Sequence, residues 1–174
     1  MDFKKYSSYD NRGMTLESDL NITNEYYLEN NIACIYKKPT PIQVVKVLNN
    51  SIKEAYFRTP STTDYNGIYK GIYIDFEAKE TNLDYFPLKN LHKHQIKHLE
   101  TIMDMKGFSF LIIRFTKYNK TFLLKTEKLL KFINSNNRKS IPYAYFINEV
   151  HMININYNPR LDYLKIVDLI LEGD

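Results

Sequence analysis

One segment of this chain specifies its own backbone conformation. From Ile72 to Lys79, apolar and polar residues alternate without a break, which is the period of a β-strand and not that of a helix. One strand face carries Ile72, Ile74, Phe76 and Ala78. The other face carries Tyr73, Asp75, Glu77 and Lys79. The pattern therefore predicts a strand with one apolar face and one outward face that bears two acids and a lysine.

The segments on either side of this strand show helical and extended patterns in turn. Apolar residues at helical spacing, with Thr15 as a candidate N-cap, predict a first helix that ends near Glu29. Further helices are predicted at 89–105, 126–134 and 162–171, and strands at 32–36, 108–115 and 121–125. A turn is predicted at Asn66-Gly67. This order predicts a mixed α/β sheet with helices on its faces, in a single domain over residues 13–174.

Length and composition limit the class of protein. The chain has 174 residues, of which 44% are hydrophobic, so it can form one compact core and is not a disordered protein. A single cysteine, Cys34, excludes a disulfide framework and cysteine-based metal sites. Because there is no leader-like segment and no run of about 18 apolar residues, we expect a cytoplasmic protein without a membrane span. The net charge of +4 does not by itself indicate nucleic-acid binding.

Two further segments stand out as candidate extensions of the domain. Residues 1–12 are polar and are expected to form a flexible arm. At about 38–55, Pro39 and Pro41 exclude a helix, and the β-branched residues after them favour two extended arms around a polar tip at Asn49-Asn50-Ser51. Taken alone, the second pattern favours an ordinary surface excursion over a functional projection.

Glu77 and Lys79 of the predicted strand form a candidate site together with Asp64. Asp64 precedes the predicted turn, so a hairpin or a bend can bring its carboxylate to the same sheet edge as Glu77. Carboxylates of this kind suit Mg²⁺, with Mn²⁺ as an alternative. Lys79 lies on the same strand face as Glu77 and can reach the same phosphate. These groups could support metal-assisted hydrolysis of a phosphodiester, in which the lysine stabilises negative charge.

The same pattern also has a purely structural explanation. A strand face with Asp, Glu and Lys is commonly a solvated surface with weak cross-strand ion pairs, and Glu-x-Lys occurs often by chance. Gln95 favours the functional alternative, because a glutamine on the apolar stripe of the following helix needs a polar partner if it is buried. A position at the solvent edge of the helix is the commoner explanation for such a glutamine.

Two other features near the candidate site are ambiguous. Glu17 cannot be assigned to the site by periodicity, and an acid near a helix N-terminus also interacts favourably with the helix dipole. His94 and His98 are spaced four residues apart but lack the glutamate and the third ligand of a zinc motif. Surface histidines close to phosphate are the better interpretation.

Seven segments of the chain occur in an order that is itself informative. They are NRGMTLESDL (11–20), KKPTPIQVVKV (37–47), KEAYFR (53–58), STTDYNGIYKGIYIDFEAKET (61–81), FPLKNLHKHQIKHL (86–99), KSIPYAYF (139–146) and PRLDYLKIVD (159–168). In this order they closely resemble the RecU family of bacterial Holliday-junction resolvases. The resemblance spans about residues 11–171 and is far more specific than Glu-x-Lys alone.

The resemblance implies a restriction-endonuclease-like fold, that is, a mixed β-sheet flanked by helices, with a protruding stalk at about 38–55. It also implies a PD-(D/E)xK active site, a homodimer, and Mg²⁺-dependent paired nicking of four-way DNA junctions during recombination and repair. The implied metal ligands are Thr62, Asp64, Glu77 and Gln95. Lys79 is implied to stabilise the transition state, and Glu17 matches an additional acidic catalytic position.

We expect DNA contacts from basic residues of the arm and the stalk. These residues are Arg12, Lys37, Lys38, Lys46, Lys53 and Arg58. Because lysines contact phosphates without reading bases, selectivity would come from the shape of the junction. Recombinase and branch-migration proteins are further candidate partners. The stalk tip is shorter than is usual in the family and has no arginine between Lys46 and Arg58, which bears on junction binding and recombinase modulation and not on the active site.

Two alternative functions remain open from the sequence. A protein of this fold could bind branched DNA, or modulate the recombinase, without cutting; the retention of every implied catalytic residue argues against this. A nuclease of this fold could also act on linear duplex DNA. An assay that compares a junction with a matched linear duplex in Mg²⁺ separates these functions.

Overall fold

The architecture is described from a computed structural model, which covers residues 15–39, 41–57, 62–135 and 137–173. The predicted arm, Arg12 and Arg58 lie outside these described residues. The helices are α1 (Leu16–Glu29), α2 (Lys93–Asp104), α3 (Thr126–Ser135), α4 (Tyr143–Glu149) and α5 (Tyr163–Glu172). The strands are β1 (Cys34–Lys37), β2 (Ile42–Leu48), β3 (Ser51–Phe57), β4 (Tyr65–Tyr69), β5 (Ile72–Thr81), β6 (Tyr85–Pro87), β7 (Phe108–Phe115), β8 (Lys120–Lys125), β9 (Ser140–Pro142) and β10 (His151–Ile153).

A six-stranded sheet with the order β1-β4-β5-β7-β8-β10 forms the centre of the fold. Strands β5 and β7 are parallel, and a long crossover that contains β6 and α2 connects them, as a parallel pair requires. The other pairs in this sheet are antiparallel. One core lies between the sheet and helices α1 and α5, and a second lies between the sheet and helices α2, α3 and α4. The predicted mixed sheet with helices on both faces is therefore confirmed. None of the helices in the ranges described combines the length and apolar character that crossing a membrane requires.

The apolar face of β5 anchors the first core, as its alternation predicts. Phe76 is fully buried and stacks between Tyr65 and Phe110, with ring centroids 4.8 Å away on each side. Ile74 is also fully buried in this core. Helix α1 packs on the same face and begins as predicted, since the hydroxyl of Thr15 accepts a hydrogen bond from the Ser18 backbone at 3.2 Å.

The polar face of β5 differs from the expectation of an outward face. Helix α2 covers it, and the side chains of Asp75 and Glu77 are fully buried. The alternation along β5 fixes which residues share a face, but it does not determine whether a helix or solvent covers that face. Two acids thus lie inside the protein, where each needs polar partners.

The predicted turn at Asn66-Gly67 is wrong, because both residues lie within β4. The chain turns instead at Lys70 and Gly71, whose φ angles are 49° and 79°. Gly67 is opposite Ile35 of β1, and a Cβ added at Gly67 would lie 2.0 Å from the Cys34 carbonyl oxygen. This glycine is therefore needed for the close approach of two strands and not for a turn.

The predicted stalk is confirmed as a hairpin of β2 and β3. Among the residues that the structure covers, these strands pair with no others, and the side chains described in them are exposed. The turn is formed by Asn49 and Asn50, whose φ angles of 49° and 58° are in the left-handed region that asparagine tolerates. Both ends of the hairpin join the main sheet next to each other, at the end of β1 and at the start of β4.

We expect Gly67→Ala to lower the free energy of unfolding by about 3 kcal/mol, because the new methyl group would clash with the β1 backbone. Gly71→Ala is the matched control. Its Cβ would meet nothing within 4 Å, so only the cost of a positive φ remains, about 1 kcal/mol. Equilibrium urea unfolding measures both values. Equal losses for the two variants would contradict the close approach of β1 and β4.

Candidate active site

Asp64 lies beside Glu77 because β4 is shorter than β5. The pairing of these strands ends where Tyr65 is opposite Phe76, so the second half of β5 has no partner on that side. Asp64 immediately precedes β4, and its Oδ2 accepts a hydrogen bond from the Ala78 backbone N–H at 3.0 Å. The carboxylate thus takes the place of the next backbone partner, and the two acids implied as metal ligands come together at one edge of the sheet.

Glu77 is the most strongly perturbed acid of this site. Its Oε1 accepts hydrogen bonds from Gln95 Nε2 at 2.7 Å and from Lys79 Nζ. Its Oε2 is buried and has no hydrogen-bond partner among the described residues. Burial, and then the negative charge of Asp64, raise the pKa of Glu77 to about 7, although Lys79 and Gln95 act in the opposite direction. Glu77 therefore offers a buried oxygen whose negative charge is incompletely compensated.

Gln95 is buried, and its partner is Glu77. As the third residue of α2, it also accepts a hydrogen bond on Oε1 from the His92 backbone N–H at 3.0 Å. The helix N-terminus thus fixes the orientation of the amide, since the oxygen is used at the helix start and the NH₂ group points at Glu77. Gln95 belongs to the site through its contact with Glu77.

Lys79 connects the buried acid with a surface cleft. Its side chain is 24% exposed. The cleft has a volume of about 460 Å³ and is lined by Thr15, Leu16, Glu17, Asp64, Tyr65, Ala78, Lys79 and Glu80. A phosphate in this cleft would meet the ammonium of Lys79 and the carboxylate of Asp64 at the same edge.

The remaining residues implied by the resemblance lie around this cleft and along the stalk. Glu17 lines the cleft, and its carboxylate pairs with Lys37, not with the other acids of the site. The exposed Thr62 accepts a hydrogen bond from Lys38 Nζ at 3.2 Å. Lys46 and Lys53 have exposed side chains on β2 and β3.

A second buried acid, Asp75, was not identified as a site residue from the sequence. Its Oδ2 accepts hydrogen bonds from Lys38 Nζ at 2.7 Å and Tyr73 OH at 3.1 Å, and it lies 3.1 Å from His98 Nε2. Its Oδ1 accepts a hydrogen bond from the Thr63 hydroxyl. A usable signal existed: Asp75 and Glu77 share a strand face, and Gln95 and His98 share a helix face at i, i+3.

The histidines do not form a zinc site. His98 contacts Asp75, whereas the exposed rings of His92 and His94 stack on each other with centroids 5.4 Å apart. Over the part of the chain that the structure describes, no three His, Cys, Asp or Glu side chains are grouped so that they could hold a metal ion. Any cation here would therefore depend on two carboxylates together with neutral oxygens or water, a set that suits a hard ion such as Mg²⁺. The unpartnered Oε2 of Glu77 fits such an ion.

Comparison with known proteins adds the family. The model of the family described as "Recombination protein U" (RecU) matches residues 11–169. Proteins named "Holliday junction resolvase RecU" from Bacillus thuringiensis (strain Al Hakam) and Bacillus cereus (strain AH820) are each 49% identical over 175 residues, which cover 95% of this chain and 88% of the relative. A third, from Bacillus anthracis (strain CDC 684 / NRRL 3495), matches to the same extent.

A solved structure is also similar in part. Hjc from Archaeoglobus fulgidus, described as a Holliday junction resolvase from an archaeal hyperthermophile, gives a TM-score of 0.44 at 9% identity, over 74% of this chain and 91% of that chain. The match to the RecU family spans nearly the whole chain and includes every segment on which the sequence resemblance depends. This chain belongs to the RecU family.

Proposed function

We propose that this chain is a Holliday-junction resolvase, an Mg²⁺-dependent endonuclease that makes paired nicks in four-way DNA junctions during recombination and repair. The observation that carries the proposal is the buried, unpartnered Oε2 of Glu77 beside Asp64. A bound cation would stabilise the ionised form of Glu77. It would replace the lost hydration of the carboxylate and would offset its repulsion by Asp64. The 49% identity to proteins named as resolvases supports the same function.

Asp64 and Glu77 would hold the metal ion, with Thr62 and Gln95 contributing directly or through water. When bound, Mg²⁺ polarises the scissile phosphate and lowers the pKa of a coordinated water. Gln95 keeps the Glu77 carboxylate in one orientation through the hydrogen bond at 2.7 Å. The Ala78 N–H does the same for Asp64. The protein thus presents both carboxylates without having to rearrange them.

Lys79 would stabilise the negative charge that develops on the phosphate. Its ammonium is bound to Glu77, yet its side chain lines the cleft, so a phosphate that enters the cleft could contact it. The cleft opens between the sheet edge and the start of α1, where Glu17 and Lys37 form an exposed ion pair. Such a surface pair is weak and can exchange partners when DNA binds.

Recognition of the junction would depend on shape and on phosphate positions. The β2–β3 hairpin stands apart from the main sheet and carries Lys46 and Lys53 on exposed surfaces. Lysines of this kind bind phosphates without reading bases. We infer that the hairpin enters the open centre of a four-way junction, and that recombinase and branch-migration proteins are further partners in the cytoplasm.

A homodimer follows from the symmetry of the substrate. Paired cuts in opposed strands need two equivalent sites at a fixed separation, which a two-fold dimer supplies. Strands β1 and β4 lie beside the part of the sheet that α2 covers. On the sheet face that carries Asp75, these two strands have exposed apolar side chains. Tyr36 and Ile68 are 55% and 54% exposed there. We propose that a second copy of the chain covers this surface, which we call the β1–β4 face.

Cleavage of a labelled four-way junction in Mg²⁺ tests the function. We expect the wild-type protein to make symmetrical nicks and to leave a matched linear duplex intact. Glu77→Gln should reduce nicking by about a thousandfold, because it removes the ionised oxygen proposed to bind the ion. Junction binding should be unchanged or tighter, since a negative charge is lost. Glu25→Gln, on the exposed surface of α1, is the matched control.

Each alternative function predicts a different result in this assay. Binding of the junction without nicks would overturn the resolvase assignment and favour a non-cleaving branched-DNA-binding protein. Equal cutting of the linear duplex would indicate a nuclease of linear DNA. Nicking by Glu77→Gln at the wild-type rate would show that Glu77 is not a metal ligand.

The raised pKa of Glu77 predicts that metal binding depends on pH. Because only the ionised carboxylate binds Mg²⁺, the apparent affinity of the DNA-free protein should rise about tenfold from about pH 6 to about pH 8. Isothermal titration in buffers of different ionisation enthalpy should also detect one proton released per ion at the lower pH. In Glu77→Gln this pH dependence should disappear; its persistence would place the titrating group elsewhere.

The raised pKa of Glu77 also determines how the stability of the metal-free protein changes with pH. The folded state binds the Glu77 proton more tightly than the unfolded state does, so this contribution to stability is complete at low pH. It is lost as the pH rises from about 4.5 to about 7. Glu77→Gln, which cannot ionise, should therefore be more stable than the wild type at about pH 8 in the absence of metal. Thermal unfolding followed by circular dichroism measures this difference.

The proposed dimer predicts a clear change in mass. Ile68→Lys places a charge at the centre of the β1–β4 face and should convert the dimer into a monomer, as measured by analytical ultracentrifugation. Met105→Lys, at a residue 77% exposed just beyond α2, is the control and should leave the dimer intact. A wild-type protein that sediments as a monomer at micromolar concentration would refute the dimer. A dimer that survives Ile68→Lys would place the interface elsewhere.

A further inference from the structure

Lys38 joins the two ends of the stalk. The chain leaves the main sheet directly after β1, at Lys38, and returns to it through residues 62–64. The Lys38 backbone N–H donates a hydrogen bond to the Asp64 carbonyl oxygen at 2.7 Å. The outgoing and returning ends of the stalk therefore meet at the residue that supplies one of the two carboxylates of the site.

The Lys38 side chain is turned into the protein. Its ammonium donates to Asp75 Oδ2 at 2.7 Å, to Thr63 Oγ1 at 2.6 Å and to Thr62 Oγ1 at 3.2 Å. An ammonium group has three N–H donors, and these three contacts use them all. The side chain is only 16% exposed. The sequence suggested a DNA contact for Lys38, but in this arrangement its charge is used inside the protein.

Asp75, the partner of Lys38, is held from several directions. Tyr73 contacts it from β5, His98 from α2, and Thr63 from the returning end of the stalk. The acid is fully buried and lies two positions before Glu77 on the same strand face. The removal of one member of a buried ion pair leaves the other charge uncompensated, so a pair of this kind resists being opened. Asp75 is therefore a rigid anchor for Lys38.

We propose that Lys38 is a positioning residue, which clamps residues 62–64 against β5 and so holds Asp64 within reach of Glu77. The inference rests on the proposed function, since it assigns a role to Lys38 at that same site. Asp64 is held from one side by Ala78 and from the other by Lys38.

Charge and position make opposite predictions for the loss of Lys38. If the residue contributed only a positive charge near the carboxylates, its removal would strengthen the binding of a cation. If it positions Asp64, its removal should weaken that binding, as the loss of a group that supports a metal ligand does, by about tenfold or more. Thr63→Val also distinguishes a charge effect from a positioning effect. It removes a hydroxyl that contacts both Lys38 and Asp75, and it changes no charge.

The test measures Mg²⁺ binding and amide hydrogen exchange on the DNA-free protein. Lys38→Met and Thr63→Val should both weaken Mg²⁺ binding in isothermal titration. In the metal-free protein both should speed exchange at the Ala78 amide, which donates to Asp64. Lys117→Met, which breaks an exposed pair with Asp84 at 2.6 Å, is the matched control and should change neither quantity. If Lys38→Met does not fold, Thr63→Val provides the test.

Junction binding in the absence of metal separates positioning from DNA contact. Lys38→Met should bind the junction like the wild type, whereas Lys46→Met, on the exposed stalk, should bind it more weakly. Tighter or unchanged Mg²⁺ binding by Lys38→Met would overturn the proposal, and so would a loss of junction affinity equal to that of Lys46→Met. These measurements need no cleavage, so a wild-type protein that fails to nick would refute the proposed function and leave the clamp intact.

Discussion

The burial of an acid under a helix is the constraint on which this site depends. Glu77 lies on the strand face that packs against α2, and its side chain is fully buried, so its carboxylate is not hydrated by bulk water. The protein compensates one oxygen with Gln95 and Lys79, and among the described residues it leaves the other without a partner. Burial and the charge of Asp64 therefore raise the pKa of Glu77 despite these two partners, and the proposed cation would meet a carboxylate whose orientation is already fixed.

Helix α2 supplies a polar partner to each of the two buried acids, because the spacing of residues along β5 matches the spacing along one face of α2. Acids two positions apart on β5 point to the same side, and residues three positions apart on α2 face that side one above the other. Gln95 therefore meets Glu77 while His98 meets Asp75. Within the described ranges, Glu77 has an oxygen without a partner, whereas both oxygens of Asp75 accept hydrogen bonds. Two positions on the same face of one strand thus differ in environment, which fits the proposed tasks of cation binding for Glu77 and loop positioning for Asp75.

Local sequence patterns predicted the helix α1 and several strands but not β4, β6, β9 or β10, and they did not reveal the long-range contacts. The alternation of β5, the N-cap of α1 and the β7 and β8 strands follow from neighbouring residues and were all confirmed. The turn at Asn66-Gly67 failed, because the role of Gly67 is set by β1, which is distant in sequence. The roles of Lys38 and Asp75 were missed for the same reason: their contact spans 37 positions. The family resemblance placed the proposed ligands, since it contains information that a single sequence lacks.

The stalk is firmly attached at Lys38, whereas its two strands, β2 and β3, make few contacts with the rest of the described protein. Two strands that pair only with each other, and whose described side chains are exposed, have little beyond their own ladder to stabilise them. The root, in contrast, is attached to a buried ion pair. The free energy of local unfolding should therefore be small at the tip of the stalk. At Lys38 it should approach the free energy of unfolding the whole protein. If the stalk enters a junction as proposed, such a gradient would let its tip adapt to different geometries, while the angle at which the stalk leaves the body would stay the same.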